Sequence, residues 1–173
     1  MTIYKQQIKL QSKAEAVTFL DVTRQVKDAI RDSGIENGVV HVISPHTTCS
    51  VFFEEFDHDT TDGDQGFLNL DLNDVLSSII PGNTHEGQYR YPGPKHYDAV
   101  LSWPNAEAYI PGGDRTALLN ADAHLKSSML GSSETFEVDA GTLAMGTTGY
   151  IYFVDFDQTR ARTRTCRIVI MGE

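Results

Sequence analysis

Gly38-Val39-Val40-His41-Val42-Ile43-Ser44-Pro45-His46-Thr47-Thr48-Cys49-Ser50-Val51-Phe52-Phe53 is the stretch on which the architecture turns. Its flanks, Gly38 to Ser44 and Cys49 to Phe53, are rich in β-branched and aromatic side chains, which suit a pleated, packed surface. Pro45-His46-Thr47-Thr48 interrupts them and reads as a tight connection, because proline cannot donate into a strand ladder. Two strands are expected, with an imidazole and two hydroxyls at their junction.

Working outward, Ile3, Ile8 and Leu10 among polar residues predict a strand over 2–13, with Gln6-Gln7 breaking strict alternation. Val22, Val26, Ala29 and Ile30 recur at helical spacing between Asp21 and Gly34; Asp21 or Thr23 is the candidate N-cap and Gly34 the stop. Phe67, Leu68, Leu72, Val75, Leu76, Ile79 and Ile80 predict a second helix, ended by Pro81-Gly82. Residues 82–118 hold prolines at 92, 94, 104 and 111 and glycines at 87, 93, 112 and 113, and read as a long functional loop or lid. Leu125, Met129 and Leu130 before Gly131 indicate a short helix. Thr135 to Val138, Tyr150 to Phe156 and Thr163 to Met171 are expected strands separated by glycine turns.

A length of 173 residues fits a single domain over 1–173 that closes a core without staples. Cys49 and Cys166 are far apart and form no Cys-x-x-Cys pair, so they read as free, buried thiols of a reducing compartment. The first residues lack a basic segment followed by an apolar one, and no run reaches the roughly 20 apolar residues that span a bilayer. A cytoplasmic protein without a membrane partner is expected. The net charge of −10 argues against nucleic acid, which needs a concentrated basic surface.

Asn120-Ala121-Asp122-Ala123-His124-Leu125 sets an amide, a carboxylate and an imidazole at alternate positions among small residues. If extended, the segment puts all three on one face; if helical, only Asn120 and His124 share one. Together with His46 it suggests a composite site. His46, His96 and His124 have polar, loop-adjacent surroundings and are candidate ligands of a divalent metal, zinc first; the plainer reading has them bonding backbone at loop ends. His41, between two valines, reads as structural, and His58 and His85 have no distinctive partner. The acidic run Asp57 to Asp64 is no EF-hand loop, since its glycine falls one place late and Leu68 stands where glutamate belongs. Gly141 to Thr148 copies phosphate-loop spacing, with Thr147 in place of the lysine. Cys49 near His46 is a weak nucleophile pair. Arg160, Arg162 and Arg164 alternate along an expected strand, which aligns them either for an anionic ligand or as an outer face paired with Asp155 or Asp157.

These motifs resemble the YjbQ-like family, of which some members are described as secondary thiamine-phosphate synthases. His46-Thr47-Thr48 looks like its His-Thr-Thr signature, Glu55 falls where the family carries a glutamate, and Asp71-Leu72 is similar to its aspartate-led helix. Asn120 to Leu125, closed by Gly131, is close to verbatim, and the block from Gly141 through Asp155, Asp157, Arg160 and Arg162 resembles the family's C-terminal part. The chain departs from it at Thr148-Gly149, where the family usually has Trp-Gln. The middle family histidine corresponds to His96, with His85 as rival.

The resemblance implies an α+β fold, a β-rich antiparallel sandwich with two or three flanking helices, assembling as a homotrimer. It points to a small metal- or phosphate-handling enzyme, a transferase joining a hydroxymethylpyrimidine pyrophosphate to a thiazole phosphate. In that reading His46, His96 and His124 converge on a metal or an anionic substrate. Asp122, Glu55 and Asp71 orient imidazoles or move protons, and Asn120, Thr47, Arg160 and Arg162 hold the phosphorylated ligand. The rival is a non-catalytic metal- or ligand-binding oligomer.

Overall fold

A computed structural model describes residues 1–61 and 65–173. The chain runs β1 (Thr2–Ser12), β2 (Thr18–Asp21), α1 (Thr23–Ser33), β3 (Gly38–Ile43), β4 (Cys49–Glu55), α2 (Phe67–Ile79), α3 (Pro94–Leu101), three short 3-10 turns within 106–118, α4 (Ala121–Leu130), β5 (Ser133–Asp139), β6 (Thr142–Ala144), β7 (Gly149–Asp155) and β8 (Arg162–Gly172). The strands form two sheets, ordered β1-β8-β3-β5-β6 and β2-β7-β4, with antiparallel pairing throughout. The architecture is the expected α+β, β-rich antiparallel one.

The decisive stretch does not fold as a hairpin. β3 pairs with β5 and β8, whereas β4 pairs with β7, so Pro45 to Thr48 carries the chain from one sheet to the other. This crossover puts His46 and Thr47 at one end of the layers.

β7 is buried along both faces, as its apolar run requires. Ile151 and Phe153 point into the larger core with Val40, Val42, Val51, Ile168, Ile170 and the α1 residues Val22, Val26 and Ile30. Tyr152 and Val154, on the opposite face, pack with Phe19, Phe52 and Phe156 under Leu76 of α2 and Ala123 of α4. Burying a side chain of this size stabilises by roughly 1.5–3 kcal/mol, so β7 is the strand on which both cores depend. In β8 the alternation is one-sided: Arg164, Cys166, Ile168 and Ile170 face inward.

Among the described residues four α-helices flank the sheets, against an expected two or three. The extra one, α3, lies inside the 82–118 segment read as a loop, and its Tyr97 and Val100 bury against Ile110 and Leu118 in a small cluster of their own. Pro94 begins it, where a missing N–H costs no hydrogen bond. At α1 neither expected cap occupies the N-cap position, which is Val22; Asp21 still accepts the Thr23 N–H at 2.8 Å, and Gly34 closes the helix at φ 65°. In the acidic run, Asp57 accepts the Leu68 N–H at 2.6 Å and so offers a carboxylate to the start of α2. Asp62, Gly63 and Asp64 of that run lie outside the described residues. Both cysteines are free and buried. Burial pushes their thiols up, Cys166 to about 12, which removes them as nucleophiles. No described helix is long and apolar enough to cross a membrane.

Gly38 and Gly172 oppose each other where β3 meets β8. A Cβ at Gly38 would come 2.1 Å from the Met171 carbonyl oxygen, a backbone atom that cannot rotate away. Gly38→Ala is expected to cost about 1–3 kcal/mol in urea unfolding, as overpacking does. Gly146→Ala, with nothing within 4 Å, should leave stability unchanged or slightly raised.

Candidate functional site

A cavity of about 310 Å³ opens where the β3–β4 crossover, the start of α4, the residues before β8 and the 82–118 segment meet. His46, Thr47 and Thr48 come from the crossover, His124 and Asn120 from α4 and its N-cap, Arg160, Arg162 and Arg164 from the β8 end, and Tyr91 and His96 from the long segment. Trp103, Tyr109 and Leu118 give it an apolar wall.

Its floor is a pair of buried ion pairs. The Arg164 guanidinium donates to both oxygens of Asp155, at 2.6 and 3.0 Å, and to Thr48 Oγ1 at 3.0 Å. Asp155 and Asp157 are at most 1% exposed. One oxygen of Asp157 receives Arg162 Nη1 at 2.6 Å and the Asn120 amide nitrogen at 2.7 Å; the other accepts from Thr159. Burial pushes the Asp157 carboxyl up, but Arg162, Thr159 and Asn120 outweigh it and hold it below the usual carboxylate range. Arg160 is placed by donating to the Tyr109 carbonyl at 2.9 Å. The expected row of three arginines on one strand is thus two on β8 and one from the turn before it, and their acidic partners lie inside the molecule, not on an outer face.

The imidazoles form the rim. His46 Nε2 accepts the Thr165 N–H at 2.9 Å, which fixes the proton of the neutral ring on Nδ1. Burial, then the Arg164 guanidinium, lowers the His46 pKa. His124 is lowered too, first by burial, with Asp157 and the Thr47 backbone opposing. Tyr91 lies between the other two rings, its hydroxyl 3.0 Å from His96 Nε2 and its ring centroid 5.3 Å from that of His124.

The fold separates the Asn120-x-Asp122-x-His124 motif. Because Ala121–Leu130 is helical, Asn120 and His124 reach this cavity while Asp122 turns to another, lined by Asn83, Thr84 and Thr159. There burial raises the Asp122 carboxyl. Leu125 and Met129, the apolar residues that suggested the helix, are 45% and 57% exposed, while Lys126 and Ser127 are buried. Ser127 and Ser50 exchange bonds with the backbone of β4 and α4, which is why this face is polar. Glu55, at the end of β4, and Asp71, on α2, are exposed and do not line the cavity. Within this chain none of these three carboxylates lines the cavity of the histidines; the carboxylates beneath it are Asp155 and Asp157. Of the two rival middle histidines, His96 lines the cavity and His85 does not, its Nδ1 lying 3.1 Å from Thr84 Oγ1 in an exposed turn. Gly149, at the Thr148-Gly149 departure, lies under Phe53, whose ring occupies the place of a Cβ. Tyr91, Trp103 and Tyr109 escaped sequence reading, having no spacing to mark them. Asp157 and Arg164 had one, in the matched alternation of two carboxylates and two guanidiniums.

A metal finds no complete donor set here. Among the described residues no group of three or more His, Cys, Asp or Glu side chains could hold an ion. His46 Nε2 is committed to Thr165 and His96 Nε2 to Tyr91.

The profile of the family described as UPF0047 protein YjbQ-like matches residues 6–173. The chain belongs to this family. It is 31% identical over 166 residues to the UPF0047 protein YugU of Bacillus subtilis, covering 96% of each chain. It is 26% identical over 173 residues to a UPF0047 protein of Methanothermobacter thermautotrophicus, covering all of this chain and 95% of that one. Among solved structures, a YbjQ-like protein of unknown function from Sulfolobus solfataricus P2 superposes with a TM-score of 0.69 at 25% identity, covering 99% of both chains. An uncharacterized protein of this family from Clostridium acetobutylicum gives 0.64 at 25% identity, over 95% of this chain and 99% of that one.

The lowered imidazoles have a consequence for stability. Below the ordinary histidine value of 6.5 the unfolded chain binds more protons than the folded one, so stability is full above it and falls as pH drops towards the lowered pKa values. Denaturant unfolding from about pH 7 to about pH 5 should show this loss. His46→Gln, whose amide oxygen can still accept the Thr165 N–H but does not titrate, should make the fall shallower.

Proposed function

We propose that this YjbQ-like protein is a phosphate-handling enzyme whose cavity takes a small phosphorylated ligand by its phosphate. The reading is carried by Arg160. Arg162 is paired with Asp157 and Arg164 with Asp155, whereas Arg160 has no ion-pair partner among the described residues. Three guanidiniums against two carboxylates leave one positive charge in excess. Burial, and then Arg162, lower the Arg160 pKa, the mark of a cation short of compensation. An anion beside Arg160, Thr47 and Asn120 would supply it, and a planar guanidinium fork suits phosphate oxygens.

The neutral imidazoles support chemistry beyond binding. His124 is uncharged at neutral pH and can accept a proton from a bound hydroxyl or water, with Tyr91 and His96 beside it to relay one. In the thiamine-phosphate reaction that the family resemblance implies, a thiazole nitrogen bonds to the pyrimidine methylene as the bond to pyrophosphate breaks. Arg160 and Arg162 would stabilise the charge gathering on the departing pyrophosphate. A second cavity of about 640 Å³, sharing Tyr91 and His124 as its wall, has room for an aromatic ring. Homotrimeric assembly belongs to the same reading: it would cover the exposed Val75 and Ile79 of α2 and Leu125 and Met129 of α4.

Calorimetric titration with phosphate, pyrophosphate and thiamine phosphate tests the site. Wild type should bind at least one of them, and Arg160→Lys should weaken binding by about 1–3 kcal/mol although the charge is kept. Equal binding by the two proteins, or none by wild type, would remove the phosphate reading. For the assembly, sedimentation equilibrium should give three times the chain mass; a monomer at micromolar concentration would contradict it.

A further inference from the structure

Two side chains that line the cavity each bury a polar atom with no hydrogen-bond partner, and both side chains bond the same carboxylate. Asn120 is 8% exposed, and its Oδ1 is buried without a partner. Its orientation is settled chemically: an ionised Asp157 can only accept, so the Asn120 nitrogen must face Asp157 Oδ2, leaving the oxygen to face elsewhere. Arg162 spends Nη1 on that same Asp157 oxygen and Nη2 on Thr159, while its Nε is buried and unpaired. One orphaned acceptor and one orphaned donor thus belong to two side chains that share a single carboxylate oxygen and both line the cavity. Each such atom keeps its full desolvation cost if nothing meets it.

We infer that Asn120 and Arg162 together select a protonated oxyanion, monohydrogen phosphate or a phosphate group retaining one O–H, over an oxyanion that has none. The inference rests on the phosphate reading of this cavity and narrows it. A P–O⁻ oxygen accepts from Arg162 Nε while the P–OH of the same group donates to Asn120 Oδ1, so one tetrahedral group meets both needs. Sulfate has the same shape and, in mildly alkaline buffer, the same charge, but it would set an acceptor against Asn120 Oδ1. A site whose polar groups are matched to a ligand hydrogen rejects the analogue lacking it far more strongly than size or charge would require.

The test is titration calorimetry of phosphate against sulfate in mildly alkaline buffer, for wild type and Asn120→Ala. The alanine leaves Asp157 its bonds to Arg162 and Thr159, and it removes no helix cap, since the Asn120 side chain makes no capping bond. Wild type should prefer phosphate by about tenfold or more, and Asn120→Ala should lose most of that ratio through weaker phosphate binding. Asn120→Ser, too short to reach, is the second variant should alanine not fold. Equal binding of the two anions by wild type would overturn the inference and leave the anion site standing, the two atoms then being served by water. A preference that survives in the variants would also overturn it, because the proton would be read elsewhere. Binding of neither anion by wild type would bring down the phosphate reading and this inference with it.

Discussion

The buried pair of Asp155 and Arg164 is the constraint on which the site rests. Asp155 ends β7, the strand shared by both cores, and Arg164 sits on the inward face of β8 in the other sheet. Removing two such charges from water costs several kcal/mol each, and only a bidentate geometry with the remaining lone pairs satisfied offsets it. The chain meets that demand: both carboxylate oxygens take the guanidinium, the Asp157 N–H donates to one of them, and Thr48 takes the spare guanidinium N–H. The pair therefore fixes three things together, the approach of the two sheets, the crossover bearing His46 and Thr47, and the turn bearing Asp157.

From this the electrostatics of the cavity follow. Asp157, oriented by Asp155, holds Arg162 and Asn120 on one oxygen and so ties the β8 end to the N-cap of α4. With its carboxylates spent on these two arginines, the site has none left for Arg160, which is steered instead by a carbonyl and the Tyr109 ring. The cavity thus sets a cation surplus beside imidazoles whose pKa values burial lowers.

The second buried system follows different rules. Lys126 is 2% exposed and donates to Ser77 at 2.9 Å, on the same helix face as Asp122. Burial lowers the lysine and raises the aspartate, each opposed by the other. This face docks α4 onto β4 and α2 through polar contacts, which is why the apolar Leu125 and Met129 point outward.

The sequence by itself determined the strands and helices wherever local chemistry was unambiguous: the β-branched runs on either side of Pro45, the 3.6-residue period ending at Gly34, and the apolar helix stopped by Pro81. It also brought His46, His96, His124, Asn120, Arg160 and Arg162 forward as candidates, and the resemblance to the YjbQ-like family joined them into one set. It could not resolve α3, whose apolar contacts are few and lie mostly with its own segment. Nor could it choose between the two faces of Asn120-x-Asp122-x-His124, since the choice depends on whether those residues are helical. Only tertiary structure decided that Glu55 and Asp71 lie apart from the histidines, that Asp155 and Asp157 are the acids beneath the cavity, and that Arg160, of the three arginines there, has no ion-pair partner among the described residues. Each of these turns on which sheet a strand joins and how deeply a charge is desolvated, and both follow from packing between elements distant in the chain, β3 against β8 and β4 against β7.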